Sequence, residues 1–485
     1  MLTFAGCLAL LAAGYIVYGA CIERIFGMNP ERPTPACTMP DGVDYVPMPW
    51  WRVFLIQFLN IAGLGPVFGA IMGVMYGPAA FLWIVLGTIF GGAVHDYLSG
   101  MMSVRNNGAS LPELVGRELG KYVKLFMRLF SVMLMVLVGA VFISGPAGLL
   151  AGLTPGMGVL VWTVIIFAYY MLATLLPVDK LIGKIYPVFG AALIFMAGGI
   201  LVSLFINHAP IPELTEGLYN RHPNRDSLHI FPMMFVSIAC GAISGFHATQ
   251  SPMMARCIRN ERYGRRCFYG AMVAEGIVAL IWAAAGASFF GSVEGLNRFV
   301  TDLPATANKA AEVVNLISNT WLGKLGGLLA ILGVVAAPIT SGDTALRSAR
   351  LIVADFLHLD QKPIAKRLLI SVPIFILTFL TLHMNFDVLW RYFAWSNQTL
   401  AVFTLWAVTV YLFRNRRPYI VALLPALFMT CVSSTYLLVA ARPEGFGLPY
   451  EIALTAGIVV TASLLALFLA RTGKRERFGT DDDAR

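Results

Sequence analysis

Two stretches decide how this chain folds: Asn60-Ile-Ala-Gly-Leu-Gly-Pro-Val-Phe-Gly69 and Ser237-Ile-Ala-Cys-Gly-Ala-Ile-Ser-Gly-Phe-His247. Each lies in the middle of a long apolar segment. Each carries an Ile-Ala pair followed by glycines where a membrane helix would hold Leu or Val. Glycine lowers helix propensity and lets the backbone leave the helical region. Pro66 also lacks an N–H. A bilayer tolerates loose backbone only where it lines a cavity or is buried in protein. Glycine-interrupted spans at corresponding places in two halves of a chain point to the substrate site of a secondary transporter. The competing reading is that these glycines only let helices pack closely. Two segments matched in phrase and position favour broken helices.

Outward from these stretches, the 485 residues are 58% hydrophobic and 13% charged, with mean hydropathy +0.74. Soluble domains carry roughly 25% charged residues. The chain is therefore expected to be an all-α polytopic membrane protein. At roughly 20 apolar residues per span, about thirteen spans are expected: 2–22, 53–75, 79–103, 124–152, 157–176, 184–206, 230–254, 268–291, 322–346, 368–384, 388–413, 418–440 and 449–470. The first lacks a positive n-region and is read as a retained helix, not a signal peptide. Seven cysteines show no metal-ligand spacing and read as small apolar residues. The formal charge of +9 comes from Lys and Arg at span ends. It is an orientation signal, and no nucleic-acid partner is expected.

Alternate loops differ sharply in Lys and Arg. One set holds Arg24, Arg32, Arg52, Arg105, Arg117, Lys180, Lys184, Arg256 to Arg266, Arg347, Arg350, Lys366, Arg414 and the tail. The other holds Arg221, Arg225, Arg298, Lys309, Lys324 and Arg442. By the positive-inside rule the N-terminus is outside and the C-terminus cytoplasmic. The two interrupted spans then run in opposite directions, each opening a set of five. The organisation expected is a helix and cytoplasmic loop (1–50), a first five-helix repeat (51–206), an external loop (207–229), an inverted second repeat (230–413), two accessory helices (414–471) and a charged tail (472–485). The 292–321 loop reads either as a linker or as a short external helix.

Further phrases carry a family resemblance. They are Asn29-Pro-Glu-Arg-Pro-Thr-Pro35, Asp41-Gly-Val-Asp-Tyr-Val46, Gly92-Ala-Val-His-Asp96 and Phe393-Ala-Trp-Ser-Asn-Gln-Thr-Leu-Ala401. Together with the two interrupted stretches, they resemble the carbon starvation protein A (CstA) family, in order from residue 29 to about 401. The resemblance implies an inner-membrane importer of peptides or pyruvate, induced by nutrient limitation. It also implies kinship with the five-plus-five inverted-repeat, LeuT-like symporters of amino acids and cations.

An unwound segment exposes N–H groups that attract a carboxylate and carbonyls that attract a cation. Gly63, Gly65, Gly241, Ser244 and Gly245 are the candidates for holding a substrate carboxylate, with Asn60, His247, Gln250, Asn397 and Gln398 lining the same path. The amides Asn397 and Gln398 could equally glue helices together. Ala337-Pro-Ile-Thr-Ser341 resembles the segment that sodium-coupled transporters place against the first break. Mapped by motif, a candidate Na⁺ site comprises the Leu59, Ala62 and Ala337 carbonyls with the Thr340 and Ser341 hydroxyls. The bland reading is that both hydroxyls bond back to the preceding turn. His95 and Asp96 are either coupling residues or a structural pair. Asp343 is expected to pair with Arg347, at i,i+4, or with Arg350, with proton coupling as the sharper alternative.

The reading is thus a secondary transporter of a small carboxylate-bearing nutrient, coupled to Na⁺ or H⁺, with no cofactor. A channel would need a ring of like groups along a pore. An enzyme would need nucleophile–base spacings that the sequence lacks. A nutrient sensor would need an unseen partner. Substrate choice, coupling ion and oligomeric state stay open at this stage.

Overall fold

The apolar run that opens after Pro49 forms a helix, α1, over Trp50–Ile61. At Ala62 the backbone leaves helical geometry (φ −76°, ψ 53°). The helix resumes as α2, Gly65–Val74, turned by 56°. Two glycines flank the bend, and Pro66 has no N–H to bridge it. The structure is a computed structural model and describes residues 1–154, 156–175, 178–304, 308–361 and 363–478. After α2 come two long apolar helices, α3 over Ala79–Arg105 and α4 over Lys121–Leu153.

The second interrupted stretch also leaves helical geometry. Its first part is α5, the turns Phe235–Ser237 and Ala239–Ala242. Ile243 and Ser244 are then fully extended, with φ −157° and −142°. Helix returns as α6, Gly245–Ala255. Beyond it run α7 (Glu261–Phe289), α8 (Gly326–Leu357) and α9 (Phe386–Arg414).

The two broken segments cross in opposite senses. α1 packs on α6, and α2 packs on α5. A Cβ on Gly65 would lie 2.1 Å from Cys240 Cβ, and one on Gly69 would lie 2.7 Å from the Ser237 carbonyl. So the glycines here also permit close packing, as the competing reading held. The arrangement is reciprocal: α3 lies against α6, α7 lies against α1 and α2, and α4 runs along α8.

Among the described residues, nine helices are long and apolar enough to cross a membrane, or ten with α1 and α2 counted as one bent span. Three expected spans fall outside that count. Val159–Leu175 has 17 residues, the 230–254 segment is divided, and α9 carries Ser396, Asn397 and Gln398 at its centre. The 292–321 loop is not a plain linker. It contains the helix Val293–Asp302, capped by Ser292 Oγ accepting from Gly295 N at 3.1 Å. A second helix begins at Lys309 and is interrupted at Gly323. The last helix continues to Phe478, past the expected boundary. The rest of the expected tail, 479–485, lies outside the described residues, as do 176, the last residue of the expected span 157–176, and 177.

The arginines at the ends of α3, α6 and α8 do more than mark one face. Arg105 donates twice to the buried Glu261, at 3.1 Å each. Arg350 lies 3.6 Å and Arg347 4.0 Å from Asp44. This end is the arginine-rich face below, and the opposite end the arginine-poor face.

Candidate transport site

Four of the five atoms expected to bind a cation come together at the first break. Thr340 Oγ1 lies 3.1 Å from the Leu59 carbonyl and 2.7 Å from that of Ala337. Ser341 Oγ lies 3.0 and 2.9 Å from the same two oxygens. All of these residues are buried. The hydroxyls do bond back to the preceding turn, as the bland reading held, yet they also reach across to α1. The Ala62 N–H still closes on the Phe58 carbonyl at 2.8 Å. Asn60, one residue after Leu59, has both side-chain amide atoms buried without a hydrogen-bond partner.

At the second break the amides of α9 satisfy the interrupted backbone. Asn397 Oδ1 accepts from the Phe246 N–H at 2.7 Å and from Ser244 Oγ at 3.0 Å. It thereby acts as the cap of α6, whose own first residues supply no side-chain cap. Gln398 Nε2 donates to the Ile243 carbonyl at 3.2 Å. In this conformation both amides serve the break itself. Asn397→Ala would leave the Phe246 N–H buried and unpaired, at a cost of about 1–3 kcal/mol. The expected result is a lower unfolding temperature in detergent, with Asn397→Asp, which keeps the acceptor, closer to the parent.

A cavity of about 600 Å³ opens beside the breaks toward the arginine-poor face. Phe68, Ser237 and Trp390 line it, with Lys309, Arg391 and His222 nearer its mouth. Arg391 is paired to Glu444 at 2.7 Å, and burial pushes the His222 imidazole down to about 4. None of the ten residues expected to bind substrate lines this cavity. Between it and the breaks lies an aromatic run. Phe68 stands 6.0 Å from Trp390, Trp390 5.5 Å from Phe393, and Phe393 5.9 Å from Phe142, centroid to centroid. Phe142 in turn packs on the Cα of Gly63.

A chain of titratable groups connects three helices behind the second break. His95 Nδ1 lies 2.8 Å from Asp96 Oδ1, and His247 Nδ1 lies 2.9 Å from Asp96 Oδ2. His247 Nε2 faces Glu275 Oε2 at 3.3 Å. All four side chains are fully buried. Glu275 was missed from the sequence. Its signal was a lone carboxylate in the apolar run Ala271-Met-Val-Ala-Glu-Gly-Ile-Val278, which marks an intramembrane functional candidate by default. Gln250 is elsewhere on α6, with Nε2 donating to Thr249 Oγ1 at 2.9 Å and Oε1 unpaired.

The expected pairing of Asp343 with Arg347 is corrected. Arg347 reaches instead to Asp44 and donates to the Ala173 carbonyl at 2.6 Å. Neither Asp343 oxygen has a hydrogen-bond partner. The i,i+4 rule compares residues on one helix, and a loop carboxylate from far upstream took the arginine.

Apolar spanning helices, two opposed helix breaks and buried polar groups gathered around them are the build of a membrane transporter. The chain matches the family model described as carbon starvation protein CstA over residues 1–161 and 156–323. It belongs to the CstA family. It is 45% identical to an uncharacterized membrane protein of Haemophilus influenzae, over 62% of this chain and 94% of that one. It is 26% identical to the peptide transporter CstA of Helicobacter pylori (87% and 79% covered). It is 28% identical to the pyruvate/proton symporter BtsT of Escherichia coli (53% and 45% covered). In fold it is similar to a manganese transporter of Eremococcus coleocola, with a TM-score of 0.58 at 13% identity, over 90% of this chain and 99% of that one. The relatives with named activities are transporters, and the chain is a transporter, not an enzyme.

Proposed function

We propose that this protein imports a small carboxylate-bearing nutrient, a peptide or pyruvate, across the inner membrane during carbon starvation, driven by a cation gradient. The observation that carries the reading is the pair of opposed breaks, at 62–64 and 243–244, whose flanking helices pack against one another. The first presents carbonyl dipoles beside two hydroxyls, able to meet an ion, and the second holds its backbone dipoles on Asn397 and Gln398, from which a carboxylate would have to take them over. The reciprocal packing of α3 on α6 and α7 on α2 supports a five-plus-five inverted repeat within about thirteen spans. Arginine bias supports a cytoplasmic C-terminus and an external N-terminus. The cavity then faces outside, and Lys309 at its mouth would attract a carboxylate.

Na⁺ is supported by the oxygen cluster at the first break. Two hydroxyls carry two hydrogens, yet four close oxygen–oxygen contacts join them to Leu59 and Ala337. Some lone pairs therefore face one another, a setting that a hard cation relieves. The test is uptake of labelled pyruvate or a labelled dipeptide by reconstituted vesicles under an imposed Na⁺ or H⁺ gradient. Thr340→Ala is expected to remove Na⁺ stimulation while the protein stays folded. Unchanged stimulation would sink the Na⁺ site. H⁺ is the second reading, favoured by the buried chain of carboxylates and imidazoles and by similarity to a proton symporter.

A further inference from the structure

We propose that Asp96, His247 and Glu275 together bind one transported proton, and that Glu275 is the group through which it is exchanged. What carries the proposal is a buried carboxylate with no donor. The His247 ring hydrogen-bonds Asp96 at 2.9 Å and lies 3.3 Å from Glu275 Oε2 without hydrogen-bond alignment. Among the described residues neither Glu275 oxygen nor His247 Nε2 has a hydrogen-bond partner, and both side chains are fully buried. An ionised carboxylate in such a site is costly unless a proton neutralises it. A neutral imidazole brings one hydrogen, which the Asp96 bond uses, and an ionised carboxylate brings none. The proton that relieves Glu275 is therefore an extra one, whichever of the three groups nominally carries it.

The neighbours do not supply another way to settle the charge. The charged groups around Glu275 are Asp96 and His247. Those around Asp96 are His247 and His95. The Cys240 thiol on α5 stands near both carboxylates, and Asn397 on α9 donates to its sulfur at 3.4 Å. No lysine or arginine is among the ion-pair partners of either carboxylate within the described residues. Without the proton the three groups would leave two negative charges buried in the bundle; with it they leave one.

The placement ties the proton to movement. Asp96 is on α3, Glu275 on α7, and His247 on α6, two residues past its first turn-forming glycine, Gly245. A shift of α6 against α3 and α7 must lengthen at least one link through His247. Loading adds a proton from water to the Glu275–His247 pair, and release returns it to water on the other side; no other bond changes. His95 is a positioning residue, since its Nδ1–H holds the second oxygen of Asp96.

This inference rests on the transport reading, and two measurements keep the two apart. The first needs no substrate: pH-induced infrared difference spectra of the purified protein in nanodiscs. A carboxyl or imidazole protonation event in the parent, lost in Glu275→Gln and displaced in pH in Glu275→Asp and His95→Gln, is the expected result. Spectra of Glu275→Gln that match the parent would overturn the proposal. Should Glu275→Gln not fold, Glu275→Asp decides it in the same way, by a displaced or an unmoved event. The second is the ratio of proton-driven accumulation to substrate exchange for labelled pyruvate or dipeptide, expected to fall about tenfold in the folded Glu275 variants, as for loss of one site-to-site coupling. An unchanged ratio overturns coupling through Glu275. A parent that exchanges neither compound defeats the transport reading, while the infrared result still decides the proton site.

Discussion

Gly245→Val is expected to yield little folded protein. A Cβ at this position would lie 2.3 Å from the Ala401 nitrogen, 2.5 Å from the Asn397 carbonyl oxygen and 2.6 Å from the Leu400 carbonyl carbon. All three are backbone atoms of α9, so no side chain can turn aside. The start of α6 must then move off α9, and that movement opens the hydrogen bonds from Asn397 and Gln398 that satisfy the second break. Overpacking alone costs about 1–3 kcal/mol in a well-packed core. With the break's polar groups unpaired as well, the total should exceed about 3 kcal/mol. Size-exclusion profiles and thermal unfolding in detergent measure this. Gly198→Ala is the contrast, because a Cβ there meets nothing within 4 Å, and it should match or slightly exceed the parent in stability. A folded, monodisperse Gly245→Val protein would mean that the two helices do not meet as closely as described.

What could be read in advance follows from the range of the interactions. The breaks were legible because glycine and proline act locally, at the residues themselves. The Thr340–Ser341 contact with Leu59 was legible because a motif recurs intact. The partners of Asn397 were not. An amide in a helix can serve a path or a scaffold, and only the position of α6 shows that it caps a helix start. Glu275 was overlooked because its partner is on another helix, and a single carboxylate has no pattern. The Asp343–Arg347 expectation failed for the same reason in reverse: the local pair was visible and the distant competitor, Asp44, was not.

That competitor leads to the second large effect. Asp44→Ala is expected to destabilise the arginine-rich face by about 3 kcal/mol or more, because removing one partner of a buried ion pair strands the other charge. Asp44 is nearly buried, and both arginines it faces are fully so. At 3.6 and 4.0 Å the attraction is between charges, with no hydrogen bond to Asp44 Oδ1, so the lower end of the usual range of about 3–5 kcal/mol applies. Arg350 keeps a bond to Gln361 at 2.8 Å and Arg347 one to Ala173, so each stays hydrogen-bonded while the loop carboxylate that faces it is lost. The loop that carries Asp44 is built for the task. Asp41 Oδ1 accepts from the N–H groups of Val43, Asp44 and Tyr45 at 2.8, 2.9 and 2.8 Å, fixing its turn. Tyr45 donates to the Asn107 carbonyl at 2.9 Å and lies under Arg256. The loop therefore ties the end of α3 to the end of α8 across one face of the bundle. Cys257 is buried directly beneath it, its sulfur 3.8 Å from the Asp44 carbonyl. In a protein with the exposed Cys21 and Cys37 replaced by Ser, maleimide labelling of Cys257 should be slow in the parent, fast in Asp44→Ala and intermediate in Asp44→Glu. Equal rates in all three would show that the loop does not close this face. A rise confined to Asp44→Ala with unfolding unchanged would show that it closes the face without supporting the fold.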